Sequence, residues 1–195
     1  MPTTRKIVLT GGPGAGKTVV ATEAVRRLGS AFALVPEAAT HVYNALGTRW
    51  DRLDLDGRRD VQRQMYLWQL RQEQTVAQAN PGRHLLLDRG TIDGAAYWPD
   101  GPDAFFPAMG TTRRRELDRY DRVIILDTAA TLGLYDGSTS NDVRFENAAE
   151  AIESSRLLAQ LWDGHASLEH VPAAPDIEHK ISDVVRRLAR EISGG

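Results

Sequence analysis

A glycine-rich loop sets the terms for this chain. Gly11-Gly12-Pro13-Gly14-Ala15-Gly16-Lys17-Thr18 follows directly on the apolar run Ile7-Val8-Leu9 and precedes a stretch with helical periodicity. It matches G-x-x-x-x-G-K-[ST] in full, in its proper place between a strand and a helix. Each residue type has a physical reason. Glycines let the backbone wrap closely enough for its N–H groups to converge on an anion. The helix behind the loop presents its positive end to that anion. Lys17 brings a compact charge to the β- and γ-phosphates of a nucleotide, and the Thr18 hydroxyl suits Mg²⁺. Gly11, Gly12, Pro13, Gly14, Ala15, Gly16, Lys17 and Thr18, with Val19 just behind them, are the candidate nucleotide-binding residues.

Composition narrows the remaining options. At 195 residues the chain suits one domain, residues 1–195, with a core of ordinary size. A formal net charge of −2, without a Lys/Arg stripe, argues against a protein held to nucleic acid through phosphate contacts. The apolar runs are only a few residues long, too short to span a bilayer. The absence of cysteine excludes a disulfide framework and thiolate chemistry, and the five histidines lack metal-ligand spacing, so no zinc site is expected. The N-terminus leads into a strand rather than an apolar signal segment, which makes the cytoplasm the expected compartment.

Strand-like apolar runs recur at Arg5–Thr10, Phe32–Pro36, His84–Leu87, Arg122–Leu126 and, more weakly, Leu168–Val171. Between them lie helical patterns. Lys17–Leu28 is closed by Gly29, Ala38–Leu46 follows the second run, and Arg58–Ala79 is stopped by Asn80-Pro81-Gly82. Glu146–Trp162 and Asp176–Ile192 complete the set, the last with Asp176 as N-cap and Ile177, Ile181, Val184, Leu188 and Ile192 on one face. Trp50–Gly57 reads as a polar connection, the segment from Trp98 to Pro107 as short helices and turns, and residues 132–146 as a mobile lid. Strands alternating with helices predict an α/β fold, a parallel sheet between helical layers. Ligands of such sheets bind beyond the carboxyl ends of the strands. Those ends carry the glycine loop, Glu37, Asp88-Arg89 and Asp127.

The chemistry of each follows from its place. Asp88, at a strand tip beside a phosphate loop, suits Mg²⁺, directly or through water. Arg89 follows it where a motor ATPase would want a second acid, and a cation there favours an anionic or transferring group. Glu37 suits the role of general base toward an attacking hydroxyl. Asp93 reads as a ligand for a sugar hydroxyl or as a helix cap, and Asp127 as a turn former. Arg144, in the polar flap, either swings over the γ-phosphate or pairs with Glu146 or Glu150. His41 and Trp50 are candidates to line an acceptor pocket, whereas Trp68 and Tyr97 read as core. Arg113-Arg114-Arg115 reads as a solvated helix face beside Glu116 and Asp118.

The order of these pieces resembles a known family. The loop is followed by Val35-Pro36-Glu37-Ala38-Ala39, by Leu87-Asp88-Arg89-Gly90 with Asp93 and Ala96-Tyr97, by Tyr120-Asp121-Arg122-Val123, and by Glu169-His170-Val171-Pro172 before the last helix. Over nearly its whole length the chain resembles the AAA_28-type AAA-domain P-loop proteins, which include ribosylnicotinamide-kinase-like domains and stand near nucleoside and nucleotide kinases. The resemblance implies a three-layer P-loop NTPase fold with a five-stranded parallel sheet in order 2-3-1-4-5. It also implies that Glu37 is the acceptor-side carboxylate, Asp88-Arg89 the acid-arginine pair, Arg144 a lid arginine, and that residues 172–176 lie near the adenine. In many relatives the flap reads Asp-Gly-x-Arg, where this chain has Asn141-Asp142-Val143-Arg144.

The leading expectation is therefore an ATP- and Mg²⁺-dependent kinase acting on a hydroxyl of a small, nucleoside-like molecule. Catalysis would fall to Lys17, Glu37, Asp88, Arg89 and Arg144, and acceptor contacts to Glu37, His41, Arg89 and Asp93. Neither nucleic acid nor membrane is an expected partner, and monomer and homodimer stay open. The alternative is a regulatory ATPase without a small-molecule acceptor. A GTPase is disfavoured because the fourth strand ends in Leu126-Asp127-Thr128-Ala129, without the guanine-reading Asn/Thr-Lys-x-Asp run. A polynucleotide 5′-kinase is disfavoured by the acidic net charge.

Overall fold

A computed structural model describes residues 4–134 and 147–193. Five strands, β1 (Lys6–Thr10), β2 (Phe32–Val35), β3 (His84–Asp88), β4 (Arg122–Leu126) and β5 (Leu168–Val171), form one parallel sheet in the order β2-β3-β1-β4-β5. The register places Val8 beside Leu87 on one side and Val123 on the other. These strands read as unbroken apolar runs because both faces of the sheet are covered. In β3, Leu86 points into one core, while Leu85 and Leu87 point into the other. All three are fully buried, each stabilising the fold by about 1.5–3 kcal/mol relative to exposure.

The first core is closed by α1 (Lys17–Leu28) and α7 (Ile177–Ser193), whose Val20, Ala24, Ile181, Val184 and Leu188 are buried against the sheet. Ile177 and Ile192 belong to the same helical stripe but are 41% and 47% exposed, because α7 runs past the sheet at both ends. Asp176 Oδ1 accepts from the Glu178 N–H at 2.9 Å, the contact expected of a residue that starts this helix.

The second core lies under α3 (Leu55–Ala79), α4 (Pro102–Ala108), α5 (Arg113–Leu117) and α6 (Ala148–Trp162), with a 3-10 segment over Thr91–Tyr97 among them. A smaller cluster joins α3 to α2 (Ala38–Leu46) through Val42, Tyr43, Val61 and Met65. α3 starts three residues before the expected boundary. Asp54 Oδ1 accepts the Gly57 N–H at 2.8 Å, so its cap initiates the helix inside a stretch that looks like linker by composition. The rest of that stretch includes a 3-10 turn over Trp50–Arg52. β2 likewise ends at Val35, one residue short of Pro36, which has no N–H to offer a ladder.

Asn147 and Glu150 form a reciprocal capping box at the start of α6. The other end of α6 is held by Arg113, which donates to the carbonyls of Leu161 at 2.9 Å and Gln160 at 3.0 Å. Arg113 thus departs from the solvated role expected for the arginine run, since last-turn carbonyls need a donor. Glu116 departs from it too, being buried and hydrogen-bonded to Tyr66 and Thr91. Of the expected lid, Leu132–Leu134 close a 3-10 turn that starts at Ala129. Residues 135–146, and with them Arg144, lie outside the described residues.

Candidate active site

The glycine loop joins β1 to α1, and its conformation is fixed from outside. Gly11 has φ 142°, and a Cβ placed there would stand 2.2 Å from the Leu126 carbonyl oxygen, so only glycine fits between β1 and β4. The loop carbonyls from Gly12 to Ala15 each have a donor. Thr128 Oγ1 donates to Pro13 O at 2.5 Å, the Ala129 N–H to Gly14 O at 3.3 Å, and Lys180 Nζ to Ala15 O at 3.2 Å. Lys17 Nζ donates to Gly12 O at 2.9 Å. With the carbonyls engaged this way, the first N–H groups of α1, which have no intrahelical acceptor, are left for an anion. Ile177 covers the outer side of the loop: its Cδ1 lies 2.5 Å from where a Gly16 Cβ would be.

At the tip of β3, Asp88 Oδ2 accepts from Thr18 Oγ1 at 2.6 Å. Its other oxygen, Oδ1, is buried and has no hydrogen-bond partner among the described residues. Burial pushes the Asp88 carboxyl above the usual aspartate range, and nearby Glu37 adds to this, against the opposing pull of Lys17. A buried carboxylate oxygen facing a threonine hydroxyl beside a phosphate loop is a hard-oxygen donor set, and the pair fits Mg²⁺.

Arg89 follows with φ 79°, the one positive φ outside glycine among the described residues. Such strain costs about 1–3 kcal/mol and persists where surrounding contacts over-determine it. Its Nε donates to Glu37 Oε1 at 2.8 Å and its Nη1 to Asp93 Oδ2 at 3.2 Å. Nη2 is buried with no hydrogen-bond partner among the described residues. Burial opposes the Arg89 charge, yet Tyr97, Glu37, Asp93 and Asp88 around it hold its pKa above the ordinary guanidinium value. Glu37 Oε2 accepts a further bond from Thr40 Oγ1 at 3.0 Å.

Asp93 is enclosed by donors. Oδ2 also accepts from Thr10 Oγ1 at 2.6 Å, and Oδ1 accepts from Trp162 Nε1 at 2.7 Å. Three separate elements therefore meet on one carboxylate, and its geometry suits the positioning of Arg89. Gly90 makes this convergence possible: a Cβ there would lie 2.7 Å from the Trp162 ring. Beneath it runs a buried polar network. Gln69 donates to the Arg89 carbonyl at 3.2 Å, and Glu73 accepts from Lys6, Arg119 and the Tyr120 hydroxyl. The Tyr120 oxygen in turn accepts the Thr91 N–H at 2.8 Å. Burial pushes the Tyr120 phenol well above its usual pKa, with Glu73 adding to it, so it stays a neutral donor.

Arg89 and Asp93 stand at the wall of a cavity of about 490 Å³ between α2, α3, the 3-10 segment and α6. Tyr43, Trp50, Met65, Tyr66, Tyr97 and Phe105 make most of its lining apolar. Trp50 thus lines the chamber, held by Arg58 at 4.8 Å from its ring centroid. Tyr97 lines it as well and is only half buried, a departure from the core position expected for it. His41 is exposed, stacked on Trp68 at 4.7 Å, and is not among the lining residues. Val19, on the outer side of α1, is 56% exposed. The Asp127 carbonyl accepts from Lys180 Nζ at 2.6 Å, so that residue's backbone is part of the loop's support.

Several of these residues carry no motif. Lys180 is buried in an otherwise amphipathic helix, and burial lowers its pKa, with Asp127 opposing. Gln62, Gln69 and Glu73 are buried polar residues at helical spacing on α3, a signal present in the sequence as polar breaks in an inward face. Trp162 is legible as a core residue, but nothing in its spacing pairs it with Asp93.

Comparison with known proteins agrees with this architecture. The family model of an AAA domain, AAA_28, matches residues 6–180. No curated protein matches the sequence. Among solved structures, the shikimate kinase from Acinetobacter baumannii in complex with shikimate is similar, with a TM-score of 0.57 and 16% identity over 99% of this chain and 95% of that one. That likeness concerns the fold: helices around a five-stranded parallel sheet. None of the helices described is long and apolar enough to cross a membrane. With the family model covering nearly the whole chain and the sheet order in agreement, this chain belongs to the AAA-domain family of P-loop proteins and carries a kinase-like fold.

Proposed function

We propose that the protein is an ATP-dependent kinase that phosphorylates a hydroxyl group of a small, nucleoside-like molecule. One observation carries the reading. Arg89 lines a 490 Å³ chamber, its Nη2 without a hydrogen-bond partner among the described residues, while its Nε is bonded to Glu37 and its chain neighbour Asp88 is bonded to Thr18 of the phosphate loop. A regulatory ATPase needs no largely apolar chamber reached from its phosphate site, whereas a kinase needs one for its acceptor.

In this reading Gly11–Thr18 hold the triphosphate of ATP, with Lys17 toward the β- and γ-phosphates and residues 172–176 beside the adenine. Thr18 and Asp88 hold Mg²⁺, which neutralises charge on those phosphates when bound. The acceptor hydroxyl lies beside the hydrogen-bonded Glu37–Arg89 pair. Its oxygen forms a bond to the γ-phosphorus as the bond from that phosphorus to the β,γ-bridging oxygen breaks, ADP departs, and the hydroxyl proton passes to Glu37. A carboxylate already paired with an arginine is a modest base. Phosphoryl transfer through a loose transition state asks chiefly for a fixed, hydrogen-bonded nucleophile, which this pair supplies. Arg89 Nη2 contacts the acceptor or the moving phosphoryl group, and Asp93 positions Arg89. The remaining charge stabilisation is assigned to Arg144. His41 has no part in the chamber and is left out of the acceptor site.

The test is ADP release by purified protein with Mg²⁺ and ATP, across nucleosides, nucleotides, sugars and amino-alcohols, against a no-acceptor control. A rise with one acceptor class supports the kinase. Slow release indifferent to every acceptor would replace it with the regulatory ATPase.

A further inference from the structure

One buried polar group in the chamber has no task in phosphoryl transfer. Gln62, on α3, is 4% exposed and lines the cavity. Gln69, two turns along the same face, is engaged with the Arg89 carbonyl, but no hydrogen-bond partner among the described residues reaches the Gln62 amide. The amide is open to the cavity, where its donor and acceptor are available to a ligand.

The surroundings define that ligand. Tyr66, one turn after Gln62, and Phe105 meet edge to face at 5.9 Å and form an aromatic wall. Gly94 lies across from them, where a Cβ would stand 3.0 Å from the Phe105 ring and 3.2 Å from Gln62 Oε1. Gly94 thus packs closely on this wall, and Gln62, Tyr66, Gly94 and Phe105 face the cavity together. Gln62 and Arg89 line the same chamber, linked along its wall by Asp93, which holds the Arg89 guanidinium, and by its neighbour Gly94, which lies beside Gln62.

We propose that Gln62 determines acceptor specificity. Its side-chain amide, with donor and acceptor side by side, pairs with a planar ring that carries a donor and an acceptor on one edge. A nucleobase and a carboxamide-bearing heterocycle both present such an edge. The ring lies against the aromatic wall while its hydroxyl arm extends toward Glu37 and Arg89. The placement of the arm rests on the kinase reading; the recognition of the ring does not.

The experiment measures binding without ATP, by titration calorimetry, for adenosine, guanosine, cytidine, uridine, nicotinamide riboside and a phenyl riboside that lacks the edge. At least one edge-bearing riboside is expected to bind the native protein about 100-fold more tightly than the phenyl riboside. Gln62→Leu is expected to remove that gap while leaving the melting temperature unchanged or higher, because it replaces an unpaired amide with an apolar side chain. Gln62→Glu, which exchanges the amide donor for an acceptor, is expected to change which riboside binds best. Equal binding of all six, or a gap that survives Gln62→Leu, overturns the proposal. Edge-dependent binding without acceptor-stimulated ADP release upholds Gln62 and removes the kinase. Acceptor-stimulated release with an unchanged preference in Gln62→Leu does the reverse.

Discussion

Thr18 Oγ1 donates to Asp88 Oδ2 across 2.6 Å, and the opposite oxygen of the same carboxylate is buried without a hydrogen-bond partner among the described residues. Chain segments 70 residues apart thus meet at one point, the start of α1 and the end of β3. The sheet order makes the meeting unavoidable. β3 is the direct neighbour of β1, with Leu9 in register with Asp88, so whatever ends β3 must face whatever follows β1. A half-engaged acid at that place destabilises the empty protein and is set to take a cation.

The first prediction concerns stability and pH. Folding raises the Asp88 pKa through burial and through Glu37, so the native chain holds that proton more tightly than the unfolded chain. Its charged form costs stability at pH values above the raised pKa, and the cost fades as pH falls through that value toward the ordinary aspartate range. Asp88→Asn is therefore expected to melt higher than the native protein at neutral pH in the absence of nucleotide, with the advantage shrinking in acid. Magnesium and nucleotide together should raise the native melting temperature more than that of the variant. Thermal melts across pH, with and without both, check this.

On the proposed kinase reading, Glu37 and Arg89 separate chemistry from binding. Glu37→Gln keeps a hydrogen-bond acceptor for Arg89 but gives up the base, so kcat should fall by about 100-fold or more while the Kd for ATP is unchanged. Arg89→Lys retains a charge but loses the fork that engages Glu37, Asp93 and the acceptor at once. It is expected to raise the acceptor KM by about 10-fold or more, with little effect on the KM for ATP. Steady-state kinetics with each substrate varied in turn distinguishes the two patterns.

Lys180 makes a prediction about the nucleotide that the same reading places in the phosphate loop. Its Nζ ties Ala15 of the loop to Asp127 at the end of β4. Lys180→Met fills the same space and leaves both carbonyls without that donor. The loop is then less firmly preorganised, and the Kd for ATP should rise by about 10-fold, the scale of one lost hydrogen bond to a charged group. Equilibrium binding of a fluorescent ATP analogue reads this directly, and an unchanged Kd would make Lys180 a purely structural residue.

Much of this layout can be read from the residues because strand ends are local features. Val35-Pro36-Glu37 and Leu87-Asp88-Arg89 announce an apolar run stopping at an acid, and a parallel sheet gathers such ends on one side. The boundaries of α1, α2, β4 and β5 follow from periodicity and, for α1, from the breaker Gly29. What periodicity does not carry is long-range pairing. Asp93 reads as a sugar ligand or a cap until Thr10, Arg89 and Trp162 converge on it, the last from 69 residues away. The beginning of α3 is hidden for a different reason: Asp54 and Asp56 look like linker, although Asp54 is the cap. Tyr97 reads as core because aromatic composition alone cannot tell a packed ring from one lining a chamber.

The last prediction tests that convergence. Gly90 leaves room for the Trp162 ring, and that ring's N–H fixes one oxygen of Asp93, whose other oxygen holds Arg89. Gly90→Ala places a methyl group 2.7 Å from a fully buried ring that also packs on Tyr120 at 5.6 Å, so the tryptophan cannot simply step aside. Overpacking of this kind costs about 1–3 kcal/mol. Trp162→Phe relieves the crowding but removes the N–H, leaving a buried carboxylate oxygen without its donor at a cost of about the same size. Both variants should therefore be less stable in chemical denaturation, and both should raise the acceptor KM because Arg89 is no longer held in one orientation. Combining them discriminates cause from coincidence. If the ring and the glycine act through the same contact, the double variant loses less stability than the two single losses added together. Strict additivity would mean that Gly90 and Trp162 matter for separate reasons.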